Sequence, residues 1–555
     1  MTQSQFVVPA TLAKDVYKEF HPMAYHPDVT EVYANFINRS GKLTNIPMDI
    51  NLGGVVNLGA QRFCMDFLIG EFNATFFKLP VEEAIEQHAR IIRAMLGKEF
   101  DDQRLRKLHN LGYLPLRVKT IAEGTIVPYG VATITVVSTK VGFQWLTNSI
   151  ETVMSCEVSG VSTSCTTATA YMKVFYEFAR KTGFPIENVP FQGHDFSMRG
   201  MIFGRQGAYL SGFGHLASGL VGTDTIGAVC LAEKFYKANI ETELVGCSVD
   251  ATEHSVTCSW IEEGEEEFVK YLMDIASPKG ILSIVADTWD FENFVTVILP
   301  RLKDAIMQRD GTVVIRPDTG CPVKVLTGYK VTGGFDHFGH TASYGVSDNE
   351  AIRLGLAKTL AFAKEHDLEA VDYFGIIYDQ DGKQLTEFEV NGLIQTLWDI
   401  FGGTLVTGED GTTYKMLDDH IGAIYGDSIT LDRQRQILQR LMDKGFCSKV
   451  VLGIGSYTYQ YVTRDTHGSA VKATSMVKND RRVPIFKAPK GFAFKASAKG
   501  LLYVGRKEDG TIYQEQDVSV EREQEGLLQT IFLDGEMVHT TSLTEIRGLI
   551  AEQIK

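Results

Sequence analysis

A chain of 555 residues is too long for one compact core, so two or three domains are expected. Its 44% hydrophobic and 22% charged residues are ordinary for a globular protein, while a formal net charge of -15 opposes nucleic acid and anionic membranes, so any phosphate site must be locally basic. Eight cysteines without Cys-x-x-Cys spacing read as reduced thiols rather than a disulfide framework or zinc site, and with no secretory leader or membrane-spanning run the expected compartment is the cytoplasm.

Residues 1–184 read as an α+β segment. Glu31 to Ile37 alternates like a strand, and Val81 to Leu96 has helical spacing after Pro80. Leu116 to Val137 gives two β-rich runs broken at Glu123-Gly124 and Pro128-Tyr129-Gly130, and a helix from about Cys165 to Arg180 stops at Gly183. From 185 to 460, strand candidates near 189–192, 219–223, 243–249, 280–286, 312–316, 421–425 and 449–453 alternate with helices such as Thr225 to Tyr236, Asp290 to Met307 and Leu431 to Lys444. That alternation predicts parallel βαβ units. An insertion at about 323–420 breaks the spacing; Asn349 to His366 and Phe388 to Ile400 read as helices, Gly402 to Tyr414 as a hairpin. Residues 461–555 return to β-like runs, close with a helix from Leu543 to Ile554, and are expected to pack with the N-terminal segment. The fold class expected is α/β: an irregular barrel plus a β-rich α+β domain built from the two chain ends.

In such a barrel the C-terminal strand ends converge on one face, so their polar tips are the candidate site. Arg316 and Asp318 flank Pro317 at one tip; a guanidinium there suits a phosphate and a carboxylate suits Mg²⁺ or sugar hydroxyls, though a salt bridge with a helix cap is the plain alternative. Gly426-Asp427-Ser428 forms another tip, which also reads as a helix cap. His254, after Glu253, stands at a helix N-terminus, where an anionic phosphoramidate would suit the dipole, a structural imidazole being the commoner outcome for an isolated histidine; Asp290 is its candidate orienting carboxylate or simply a cap. Phe196 and Arg199 offer an aromatic face beside a cation, or a core ring and a surface charge. Asp224 accepts hydrogen bonds but cannot donate them when ionised, so it suits an amide and repels a carboxylate. Between Lys472 and Lys499 the cations are opposed by Asp480 alone, either a phosphate site or a solvated basic loop.

In order along the chain, the segments DVYKEFH (Asp15 to His21), ANFINR ending at Arg39, QWLTNSIET, GHDFSMRG, GTDT, SVDATEHS, IRPDTG, YGDSIT and TRD (Thr463 to Asp465) resemble the nicotinamide phosphoribosyltransferases of the type II phosphoribosyltransferase family. The resemblance implies that nicotinamide and phosphoribosyl pyrophosphate give nicotinamide mononucleotide and pyrophosphate, with Mg²⁺ and with ATP as a coupled co-substrate. It implies a homodimer with shared active sites. By motif, Phe196 and the partner subunit's Tyr17 would enclose the nicotinamide ring, Asp224 would take its amide, and Ser248 lies in a substrate-binding motif. Arg199 and Arg316 would meet the ribose phosphate and ring region, Asp318 the ribose hydroxyls, and Gly426, Asp427 and Gly455 the product phosphate. The partner subunit's Arg39, Arg464, Lys472 and Lys495 would hold pyrophosphate or ATP phosphates, and His254 would be phosphorylated by ATP, with Glu253 beside it. The metal is expected through substrate phosphates, with Asp318 a candidate ligand. Ala286, Ala470 and Ser456 depart from residues the family can carry there. A nicotinate phosphoribosyltransferase and a catalytically silent binding protein of the same fold are the competing readings, and Asp224 argues against the first.

Overall fold

The computed structural model describes residues 7–50, 52–202, 204–333, 348–426, 428–488 and 497–555. It divides into two compact units: Met1–Lys173, Ser197–Cys247 and Ser456–Lys555 form one, and Val174–Phe196 with Ser248–Gly455 form the other. The class is mixed α/β, with an antiparallel sheet in the first unit and a parallel half-barrel in the second.

The first unit is built on a sheet ordered Arg481–Pro484, Ala470–Lys478, Val29–Ile37, Ala132–Ser138, Leu116–Thr120, Gln529–Leu533 and Glu536–Met537, with neighbours antiparallel. N-terminal and C-terminal strands interleave, so Asn35 pairs with Lys472 across 437 residues of chain. The period of two places Ala34, Phe36, Ile134 and Val136 in a cluster with Phe63, Phe67 and Trp145, and Tyr33 and Val137 in another with Leu501 and Leu502. Both faces are therefore covered, which is why Val29–Ile37 is almost wholly buried. The helix Val81–Leu96 turns Ala84, Ile85, His88, Ala89 and Ile92 inward at three- and four-residue spacing. The closing helix Leu543–Ile554 starts at a reciprocal Ser542–Glu545 capping box.

In the second unit the parallel strands run Gly193–Asp195, Val451–Ile454, Ile421–Tyr425, Val313–Arg316, Leu282–Val285 and Asp250–Ala251 across the sheet. Helices Leu299–Met307 and Leu431–Asp443 are amphipathic crossovers of the kind parallel strands require. The insertion holds helix Asp348–Glu365, a small sheet of Val331–Thr332, Ala370–Tyr373 and Ile376–Asp379, helix Glu387–Phe401, and a hairpin of Gly403–Thr407 with Thr413–Leu417.

Three expectations shift. The run expected as a strand near 243–249 holds only a bridge from Cys247 to Gly222, and the strand proper is Asp250–Ala251. The strand expected near 189–192 is a 3-10 helix, Ile186–Phe191, because Pro190 fixes its backbone angle and donates no hydrogen bond; the strand proper is Gly193–Asp195. The helix expected from Cys165 begins at Glu151 and runs to Thr182. Its Ser/Thr-rich first half is a poor helix former by propensity, but those hydroxyls find partners in the helix and beside it: Thr166 donates to the Ser162 carbonyl at 2.6 Å, and Ser162 to the Leu58 carbonyl of the neighbouring segment at 2.8 Å.

Candidate active site

In the second unit the strand tips carry a connected polar cluster. The buried strand Val313–Arg316 ends at Pro317, and the chain bends so that Arg316 Nη2 meets Asp318 Oδ2 at 3.2 Å and Nε approaches Oδ1 at 3.4 Å. Both side chains are largely buried, 13% and 20% exposed, so the pair is desolvated enough to hold one geometry. The Arg316 guanidinium also lies 5.2 Å from the Phe196 ring centroid, and Phe196 packs on His194 at 4.4 Å. This side of the cluster is a planar cation beside an aromatic face.

Gly426, at the end of the neighbouring strand Ile421–Tyr425, makes room for that pair. A Cβ there would stand 1.7 Å from Asp318 Oδ1 and 2.9 Å from Arg316 Nε. Tyr425 donates its hydroxyl to the Gly320 carbonyl at 2.9 Å, and burial, with the carboxylates of Asp287 and Asp318 adding to it, pushes its phenol far up. Asp427 lies outside the described residues. Gly455 is buried, and Ser248 exposed.

Asp287 is the residue that the sequence reading passed over. Its side chain is 3% exposed, and Oδ2 accepts the backbone N–H of Asp318 at 2.9 Å, that of Thr319 at 2.7 Å and the Thr319 hydroxyl at 2.6 Å. Its other oxygen, Oδ1, faces His254 Nε2 at 3.9 Å, while His254 Nδ1 lies 3.1 Å from the Thr288 hydroxyl. One carboxylate thus stands between the Asp318–Thr319 backbone and the imidazole. Asp290, the expected orienting group, does something else: it caps the next helix, Oδ1 accepting from Asn293 N–H at 2.9 Å. Asp290 also adds to the burial that pushes the Glu265 carboxyl up to about 7. Glu253 accepts from the Ser255 hydroxyl and precedes the helix His254–Cys258. A pattern of two aspartates, Asp287-Thr-Trp-Asp290, was legible; which one faced the histidine was not.

In the first unit the cationic residues gather by backbone pairing. Arg39 donates from its backbone to the His467 carbonyl at 3.0 Å and from Nε to the Gly468 carbonyl at 2.8 Å, and Ser469 N–H bonds the Arg464 carbonyl at 3.0 Å. Lys472 follows on the strand beside Asn35. Burial, then the nearby charges of Arg39, Arg464 and Lys487, hold the Lys472 ammonium below its usual range against the pull of Glu151. Lys487, one of the cations of the basic stretch between Lys472 and Lys499, joins this group. Lys495 lies outside the described residues.

Asp224 is exposed after the strand Gly222–Thr223 and sits with Met198, Gln206, Tyr209 and Arg62 on a cavity of about 630 Å³. Arg199 is exposed on the turn Met198–Gly200. Tyr17, 56% exposed, meets His21 edge-on at 5.2 Å. Ala286 and Ala470 are both buried. Among the described residues no group of three or more His, Cys, Asp or Glu side chains is placed to hold a metal ion.

The nicotinate phosphoribosyltransferase (NAPRTase) family profile matches residues 191–535. A nicotinamide phosphoribosyltransferase of Acinetobacter baylyi is 39% identical over 553 residues, covering 98% of this chain and 97% of that protein. Another, of Mycoplasma pneumoniae, is 27% identical over 498 residues, covering 86% and 92%. Among solved structures, nicotinate-nucleotide pyrophosphorylase from Pyrococcus furiosus is similar with a TM-score of 0.52 at 14% identity, over 100% of this chain and 98% of that one. That last likeness speaks for the fold alone. The profile match across most of the chain and the near full-length 39% identity together place the chain in the nicotinate phosphoribosyltransferase family.

Proposed function

We propose that this protein is a nicotinamide phosphoribosyltransferase, joining nicotinamide to the ribose C1 of phosphoribosyl pyrophosphate with loss of pyrophosphate. The observation that carries the proposal is the Arg316–Asp318 pair beside Phe196, seated against Gly426. The relatives named nicotinamide phosphoribosyltransferase support the substrate, and an exposed carboxylate at Asp224 supports an amide over a carboxylate partner. Its role, like those of Arg199, Ser248 and Tyr17, rests on motif.

Displacement at C1 leaves positive charge on the sugar and negative charge on the departing pyrophosphate. Asp318 takes the ribose hydroxyls and stands near the developing cation, and Arg316 takes the phosphoribosyl group or the ring. The ring nitrogen of nicotinamide is already a nucleophile and needs no general base; Phe196 serves by positioning it. Arg39, Arg464 and Lys472 are the proposed pyrophosphate cations. Mg²⁺, carried on the phosphates, would neutralise the leaving group's charge, and Asp318 is the side chain proposed to lie within its reach.

His254 is proposed to take a phosphoryl group from ATP, which releases ADP; later hydrolysis of the phosphoramidate returns phosphate. The Thr288 contact fixes Nδ1 and leaves Nε2 as the proposed nucleophile. A cytoplasmic homodimer with shared sites completes the reading; among the described residues no helix is long and apolar enough to cross a membrane. The deciding experiment measures mononucleotide formation from nicotinamide and from nicotinate, with and without ATP. Nicotinamide is expected to be preferred, with ATP raising the rate; equal or better turnover of nicotinate overturns the assignment.

A further inference from the structure

The turn Met198–Gly200 in the first unit, which bears Arg199, is three residues of 3-10 helix. Its own bonds are two, Gly200 N–H on the Ser197 carbonyl at 3.0 Å and Met201 N–H on the Met198 carbonyl at 3.3 Å. One such turn closes on itself without fixing where it sits on a surface. Burial does not fix its exit either, because Ile202 is 77% exposed. What holds the exit is a bond to the backbone: Ile202 N–H donates to Gln460 Oε1 at 2.6 Å. On the turn itself Ser456 fills the room beside Gly200, where a Cβ would fall 2.1 Å from Ser456 Oγ.

Both grips come from one short helix, Ser456–Gln460, and that helix is itself anchored. Thr458 and Tyr459 are buried, the Thr458 hydroxyl 3.3 Å from the Tyr171 hydroxyl and the Tyr459 hydroxyl 2.7 Å from His215 Nδ1. His215 lies on Arg205–Ala217, the helix that follows the turn. The contacts therefore close a ring, from the turn through its following helix to His215, Tyr459 and Gln460, and back to Ile202. Tyr457 and Tyr461 are left on the outer side, exposed and stacked at 4.9 Å. With the helix fixed about its axis, Gln460 presents its amide oxygen in one direction, and the turn has one seat.

We propose that Gln460 is a positioning residue for Arg199, seating the turn so that the guanidinium meets the phosphoribosyl group without first having to be ordered. The proposal rests on the motif reading of Arg199 as a cation for that group. Its test measures kcat and KM for phosphoribosyl pyrophosphate at saturating nicotinamide, with thermal midpoints alongside. The full-length proteins compared are wild type, Gln460→Ala, Gln460→Met, Arg199→Ala and Gln460→Ala/Arg199→Ala. Gln460→Ala should raise that KM about five- to tenfold, the worth of one hydrogen bond, and leave kcat within about twofold. Gln460→Met keeps the bulk and drops the amide oxygen, so it should match the alanine variant. Arg199→Ala should raise the KM as well, and adding Gln460→Ala to it should change the KM by less than about twofold, because the group that Gln460 seats is gone. A wild-type KM in either Gln460 variant overturns the proposal, and so does a fall in thermal midpoint and kcat with KM unmoved, which would make the bond merely structural. Equal factors for Gln460→Ala with and without Arg199 would mean that it acts by another route, which also overturns it. If Arg199→Ala alone leaves the KM unchanged, the motif reading of Arg199 fails and the positioning role with it.

Discussion

Gly426→Ala is the sharpest test of the strand-tip geometry, because the perturbation is one methyl group placed at a known distance. The new Cβ would stand 1.7 Å from Asp318 Oδ1, where ordinary contact begins at 3.4 Å, so the carboxylate must retreat by about 1.7 Å. Its ion pair with Arg316, already at 3.2 and 3.4 Å, does not survive such a move. Displacement of a catalytic group by about 1 Å costs on the order of 100-fold in rate, so kcat/KM for mononucleotide formation should fall at least that far, or about 2.7 kcal/mol of transition-state stabilisation. Asp318 is partly exposed and can swing outward, so the stability loss should stay near the lower end of the roughly 1–3 kcal/mol typical of overpacking. Gly422→Ala on the same strand is the control: its Cβ meets only methyls of Val314 and Thr312, at 3.5 and 3.8 Å, and activity should be unchanged. If the effect runs through Asp318, Gly426→Ala added to Asp318→Ala should cost almost nothing more. Activity within about threefold of wild type for Gly426→Ala, or full additivity in that cycle, refutes the reasoning.

Incubation with γ-labelled ATP should leave acid-labile phosphate on wild type and none on His254→Ala; equal label on both removes His254 from the ATP step. Half-buried Arg547 donates to the carbonyls of Leu216 at 2.8 Å, Leu244 at 2.7 Å and Val245 at 2.6 Å, and desolvation lowers its guanidinium to about 10. Arg547→Ala should therefore lose roughly 3 kcal/mol in urea unfolding, with a loss below about 1 kcal/mol counting against the three bonds. Buried Glu19 meets Lys14 at 2.6 Å, His88 at 3.3 Å and Arg104; burial alone would push its carboxyl up, but His88 and Lys14 pull it down to about 2. The folded state holds that proton less tightly than the unfolded chain, so its contribution is full above pH 4.5 and is lost as pH falls toward 2. The loss amounts to about 3 kcal/mol, and Glu19→Gln should flatten that limb of the stability–pH curve.

Much of this architecture is visible in the chain because burial writes its period into the residues. Val81–Leu96 and Leu543–Ile554 lie where their spacing and caps put them, and the polar tips Arg316-Pro-Asp318 and His254 lie at element ends. Less visible is whatever depends on a hydrogen bond to a distant partner. The Ser/Thr-rich half of Glu151–Thr182 reads as a break until its hydroxyls are seen to bond the helix and the Leu58 segment. Asp287 and Asp290 are equivalent in sequence; only the packing of Thr319 over one and Asn293 on the other separates their jobs. Tyr457 and Tyr461 are at an ordinary helical spacing, and their exposure follows from Tyr171 and His215 holding the opposite side of the helix.

Ser456 and Gly200 share one space. The Oγ and Cβ of Ser456 occupy the room a side chain on Gly200 would need, at 2.1 and 2.7 Å from a Cβ placed there. No other atom lies within 4 Å of that Cβ among those counted as its neighbours, and Gly200 is not in the left-handed region, so the conflict with Ser456 is the whole obstacle to a larger residue. Gly200→Ala should consequently lower the thermal midpoint and disturb the turn that bears Arg199, while Gly200→Ala with Ser456→Gly should recover both, a coupling of about 1 kcal/mol or more between the two positions. Independent effects in that double-mutant cycle would mean that the turn is held by something other than the packing of Ser456 on Gly200. Recovery would show that the glycine and the serine are exchangeable partners, the bulk sitting on either side of one contact.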